Sequence, residues 1–133
     1  MAFARWVFLG AGVYGLLTLF PMYFLSDQLA AAFPETPGHP LLFFGFVGIA
    51  VVWQLAFLMI GRDVARFRPL MPVAMLEKLA FTVPALLLFL QGRLVFDLFI
   101  LTLADWAFLV LFGLAYHRSR PTPQPSPRNP AQG

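Results

Sequence analysis

Cysteine is missing altogether, and charged side chains make up only 11% of the 133 residues. Without a thiol there is no thiol–disulfide relay, no thiolate metal site and no iron–sulfur cluster. Histidine is almost as scarce: His39 falls in a Pro- and Gly-rich stretch and His117 at the end of an apolar run. The two belong to opposite sides of the helices expected below, so they cannot supply a pair of axial ligands to haem, and no cofactor is expected. No nucleophile stands beside a base, no glycine loop could cradle a phosphate, and no spacing suits a metal. The sequence therefore names no catalytic residue and no metal ligand, and a non-enzymatic protein is expected. Paired carboxylates, Glu77 and Asp105, are the sole candidates for acid–base work.

What the chain has instead is hydrocarbon. Hydrophobic residues make up 60% of it, far above the average of water-soluble domains. Four apolar runs, at about 6–25, 41–60, 73–90 and 94–116, are each long enough to cross a bilayer. The expected fold is all-α, a four-helix transmembrane bundle running up-down-up-down over residues 1–118, with no room for a second domain. A tail over 119–133, with five prolines among polar residues, cannot bury enough surface to order. The first apolar run follows Arg5 as a signal peptide would, but it is too long for a cleaved apolar segment and carries Pro21 late, so it reads as a retained span.

Several features along the chain bear on packing. Ala11, Gly15 and Thr18 share a face of the first span, a small-residue strip that lets a neighbour approach closely. Gly45 and Gly48 suggest the same for the second. Pro34, Pro37, Gly38 and Pro40 mark a loop after Ser26, and Gln28 to Phe33 either extends the first helix or lies along the interface. Gly61 to Pro69, holding Arg62, Arg66 and Arg68 among Val64 and Phe67, suits a connector lying on anionic headgroups. Pro84 removes the helical partner of the Ala80 carbonyl and is expected to kink the third span, with Thr82 near enough to satisfy part of that loss. Gln91-Gly92-Arg93 is so short a turn that spans three and four must be antiparallel neighbours, with Arg93 and Asp97 able to pair.

Charge sets the expected orientation. Arg5, Arg62, Arg66, Arg68, Arg118, Arg120 and Arg128 fall on one side of four spans, whereas Arg93, Asp27 and Glu35 fall on the other. The positive-inside rule then puts both termini of this multi-pass chain in the cytoplasm. So strong a bias argues against small four-helix exporters and fluoride channels that insert both ways. The net charge of +3 is explained by orientation and anionic membrane lipid, so no nucleic-acid partner is implied.

The expected polar cluster consists of Asp105, Glu77, Gln54, Tyr14 and Thr102. A lipid-facing carboxylate at mid-bilayer costs about 2.5–3.5 kcal/mol on insertion scales, so Asp105 is expected to turn inward on a face shared with Thr102, Leu109, Phe112 and Tyr116. There it meets Tyr14 or Gln54, or stays protonated through burial. Depth counted from the basic ends puts Gln54, Glu77 and Lys78 in the inner third, and Tyr14 and Asp105 nearer the middle. Glu77 and Lys78 are adjacent and point about 100° apart, so Glu77 is expected inward with Ala80 and Pro84, and Lys78 to snorkel to the headgroups. Two functions fit. The polar groups are interhelical glue, or they line a pocket toward the cytoplasmic leaflet that binds a lipid-like or small amphiphilic molecule. A small transporter or channel using Glu77 and Asp105 is the alternative to a binding protein.

Five stretches carry a resemblance: His39 to Phe46; Trp53-Gln54; Arg62-Asp63 with Arg66 to Met71; Leu76 to Leu79; and Asp105-Trp106 with Ala115-Tyr116. In these the chain resembles small four-helix inner-membrane proteins of bacteria and, distantly, the DoxX-like group. The resemblance implies four helices in a membrane and an accessory role, such as that of DoxX-like proteins in membrane redox complexes. Partner membrane subunits or a homo-oligomer are accordingly expected. It transfers no catalytic residue.

Overall fold

A computed structural model describes residues 1–32 and 40–123, and all regular structure within them is helical. Helix α1 is Ala2–Leu19, α2 Ser26–Ala32, α3 Pro40–Arg62, α4 Val64–Phe67, α5 Met71–Leu90, α6 Phe96–Leu101 and α7 Leu103–Arg118. Tight turns over Phe20–Tyr23 and Arg68–Leu70 prolong α1 and join α4 to α5, giving four spans: Ala2–Tyr23, Pro40–Arg62, Val64–Leu90 and Phe96–Arg118. All four are long and apolar enough to cross a membrane, which makes this a multi-pass transmembrane bundle. The expected loop over 34–38 and the tail beyond 123 lie outside the described residues.

Helix is dictated by solvent, because hydrocarbon offers no partner for a backbone N–H or C=O. Between 17% and 28% of each span is buried within the bundle, so Leu17, Leu41, Ile49, Leu76 and Leu101 face outward, as lipid-facing residues do. Chain punctuation sits where helices can tolerate it. Pro40 opens α3, Pro72 lies in the first turn of α5, and Asp63 caps α4 by accepting the Arg66 N–H at 3.1 Å. At the other end of α5, Gly92 adopts φ +68°, and the Gly92 and Arg93 N–H groups donate back to Phe89 O and Leu88 O at 3.0 and 2.8 Å. That closure satisfies orphan carbonyls and requires the left-handed conformation glycine supplies cheaply.

Three local expectations change. The connector from Val64 is helical rather than a loop, because Asp63 starts a new turn straight after α3. The fourth span is two helices rather than one, broken at Thr102. In the third, the Thr82 hydroxyl donates to Lys78 O at 2.8 Å rather than to the carbonyl Pro84 leaves free, within a helix that continues past Pro84.

Two kinds of contact hold the spans. α1 lies against α3 through glycine: a Cβ at Gly12 would stand 2.9 Å from Gln54 O, one at Gly61 2.9 Å from the Leu9 backbone N, and one at Gly15 would overlap the Gln54 amide. Close backbone approach of this kind supplies packing energy where lipid removes the hydrophobic drive to associate. The small face of α1 is thus Ala11, Gly12 and Gly15. Thr18 is exposed and turns its hydroxyl back to Tyr14 O and Gly15 O. On α3, Gly45 meets nothing and Gly48 faces only the Tyr23 hydroxyl, so the tight contact falls at Gly61.

α7 packs against both α1 and α5, and Phe8, Phe57 and Phe112 lock α1, α3 and α7 together. The Phe8 and Phe112 rings stack at 4.3 Å and Phe57 meets Phe112 edge-on at 5.0 Å, all three fully buried. α5 and the α6–α7 span run antiparallel along a ladder of rungs. Ser119 Oγ donates to Met71 Sδ at 3.7 Å, Arg68 donates to Tyr116 O at 3.0 Å with its guanidinium 4.1 Å from the Tyr116 ring centroid, and Phe89 stacks on Phe99 at 4.3 Å. The helices therefore succeed one another as α3, α1, α7, α5, and the arc closes only weakly between α3 and α5.

Candidate functional site

The middle rung of the α5–α7 ladder is ionic. Lys78 Nζ donates to Asp105 Oδ1 at 2.7 Å and lies 3.4 Å from Glu77 Oε2, with the Phe57 ring centroid 5.1 Å away. Lys78 is 6% exposed, which overturns the expectation that it snorkels. Depth explains why. The pair lies about ten residues along α5 and α7 from the Arg68–Tyr116 rung, about 15 Å at the helical rise, or half the hydrocarbon thickness. An ammonium that deep needs a carboxylate more than it can reach water.

The same geometry corrects the depth and the partner of Asp105. Lys78 and Asp105 stand level, rather than one in the inner third and the other nearer the middle, and Asp105 meets Lys78 rather than Tyr14 or Gln54. Although Glu77 and Lys78 point to different sides of α5, the four-carbon stem of Lys78 brings its ammonium within ion-pair range of both carboxylates.

The other members of the expected cluster are elsewhere. Gln54 is buried, but its Nε2 donates to Ala50 O of its own helix at 2.9 Å and its amide fills the notch at Gly15. Tyr14 is 45% exposed and packs its ring against Phe108 at 5.3 Å. Thr102 is buried at the break between α6 and α7, its hydroxyl donating to Phe99 O at 2.7 Å, so its polarity is spent within its own helix. Asp105, Glu77, Gln54, Tyr14 and Thr102 thus do not gather round one pocket. Arg93 and Asp97 form no ion pair among the described residues.

Glu77 belongs to a second feature that periodicity did not reveal. Where α3 and α5 diverge, a crevice of about 410 Å³ opens sideways, lined by Phe46, Ile49, Ala50 and Trp53 on α3 and Val73, Leu76, Glu77, Ala80 and Phe81 on α5. Phe46 packs against Phe81 at 5.7 Å. Ile49 and Leu76 are 66% and 62% exposed, so the mouth faces where acyl chains would lie. Glu77 is the one charged residue in the wall, and its buried Oε2 has no hydrogen-bond partner even though Lys78 is within ion-pair range. The signal in the sequence was Glu77 itself, a carboxylate inside an apolar span; that Trp53 and Phe81 would share its crevice depends on helix rotation, which hydropathy does not set.

At the basic end, Arg5 and Arg62 flank a second cleft of about 550 Å³ between the start of α1 and the α3–α4 joint. Nearby, the Arg118 guanidinium lies 4.6 Å from the Phe3 ring centroid and that of Arg66 5.4 Å from Phe67. Cationic groups thus lie over aromatic rings at this end of the spans. No group of three or more His, Cys, Asp or Glu able to hold a metal occurs among the described residues. Comparison with protein-family models, with curated proteins and with solved structures found no match.

Proposed function

We propose that this chain is a non-enzymatic inner-membrane protein that holds a lipid-like or small amphiphilic molecule in the crevice between α3 and α5, with Glu77 as its polar contact. The observation that carries this is the pairing of an apolar, laterally open crevice with a single charged side chain in its wall, the intramembrane carboxylate Glu77. Binding sites for small molecules are of this kind, largely apolar with few polar groups, and about 300–1,000 Å³ in volume. The Lys78–Asp105 pair then acts as glue that fixes α5 against α7, while Glu77, the more distant of the two acids from Lys78, gives the crevice its polar wall. Both termini belong in the cytoplasm, where Arg62, Arg66 and Arg68 meet anionic lipid. An accessory role beside other membrane subunits, or in a homo-oligomer, suits a protein whose outer faces are uniformly apolar.

Native mass spectrometry of the chain released from its own membrane tests the proposal. A retained small amphiphile is expected, together with its loss from an Ala80→Phe variant that fills the crevice without altering yield or melting. Identical adducts on both proteins would overturn the assignment to this crevice. A small transporter or channel is the second reading, favoured by two carboxylates sharing one ammonium at mid-depth. Solute flux into proteoliposomes that disappears in Glu77→Gln would select it over simple binding.

A further inference from the structure

We propose that the molecule taken by the crevice is a lipophilic organic cation, an amine or quaternary ammonium on an apolar tail, seated with its positive head against Glu77. This rests on the crevice reading above and specifies the charge of the occupant. The argument begins with the ionic rung, which counts two carboxylates against one ammonium. Lys78 sits at 2.7 Å from Asp105 and 3.4 Å from Glu77, so Asp105 takes the closer share and Glu77 is the undercompensated acid. An ionised Glu77 at that depth needs its charge offset, either by a proton or by a monovalent cation in the crevice that takes the proton's place. An anionic head would add to the negative charge, and a neutral one would leave Glu77 to its proton.

The walls favour the same sign. Phe46, Trp53 and Phe81 bring aromatic rings to the crevice, and the negative faces of such rings attract cations. A metal ion does not suit the site, since Glu77 is its one carboxylate and no cluster of three or more possible ligands occurs among the described residues. Exposed Ile49 and Leu76 at the mouth let an apolar tail run out among acyl chains while the head stays inside.

Trp53 supplies the readout. A full-length chain carrying Trp6→Phe and Trp106→Phe, which keeps Trp53 as its one tryptophan, is placed in phosphatidylcholine nanodiscs. It is titrated with a brominated alkyltrimethylammonium, a brominated alcohol and a brominated alkyl sulfate of equal chain length, each of which quenches tryptophan on contact. Saturable quenching by the ammonium at about tenfold lower concentration than by the alcohol is expected, with the sulfate weakest. Glu77→Gln should bring the ammonium to the level of the alcohol. Equal half-saturation for ammonium and alcohol in the unaltered crevice would overturn the cationic assignment while leaving amphiphile binding in place. Absence of saturable quenching by all three, beyond that seen with Ala80→Phe, would overturn both. Should Glu77→Gln fail to fold, the comparison of the three probes on the parent chain decides alone.

Discussion

At the scale of single residues, Lys78 is the side chain on which the interior depends. Replacing it with methionine keeps the stem and removes the charge, which strands Asp105 and Glu77 together at mid-depth. Removing one partner from a buried ionic group costs about 3–5 kcal/mol, whereas replacing the whole group with apolar residues is often neutral. Lys78→Met should therefore destabilise the bundle by about that much in SDS titrations from mild micelles. Combining it with Asp105→Leu and Glu77→Gln should recover most of the loss; a single variant as stable as the parent would show that the rung contributes nothing. The need for a partner at Asp105 was legible in the sequence, since an unpaired carboxylate in hydrocarbon is so costly. The identity of that partner was not. Adjacency of Glu77 and Lys78 suggested that one must face away, but a long flexible side chain can return its charged end to a partner its Cα–Cβ bond does not face.

At the scale of helices, glycine decides which faces meet. Alanine at Gly12 or Gly61 drives a methyl group into backbone atoms 2.9 Å away, and neither backbone can yield without separating α1 from α3. Each should lower stability by about 1–3 kcal/mol, as overpacking does. Alanine at Gly10 or Gly45 meets nothing within 4 Å and should be neutral or slightly stabilising, since alanine favours helix. Gly15→Ala meets the flexible end of Gln54, and Gln54→Ala should rescue it. Thermal unfolding of the six variants in one detergent checks the whole pattern. Composition foretold that small residues would mediate packing but credited Gly45 and Thr18 in place of Gly12 and Gly61, because one sequence does not reveal how a uniformly apolar helix is rotated. The break at Thr102 was equally hidden: neither Gly nor Pro interrupts the run from Leu94 to Leu103, and the hydroxyl that closes the turn onto Phe99 O is an ordinary threonine in the sequence.

At the scale of the molecule, spans were the most legible feature, since length and hydropathy suffice to find them and all four are present. Their sidedness is open to direct measurement, and the natural lack of cysteine makes the chain its own clean background. Single cysteines at Ala2, Ala65 and Thr122 should resist an impermeant maleimide added to intact cells and react once the membrane is opened; one at Gly92 should react from outside. Labelling of Ala65 and Gly92 from the same side would contradict the alternation of spans two to four. The weak contact between α3 and α5 carries a consequence for supply. A guest bound for Glu77 enters through a gap facing its neighbours in the bilayer plane, so occupancy follows the guest's mole fraction among the lipids. Adding phospholipid at fixed aqueous volume should empty the protein, whereas adding buffer should scarcely change it.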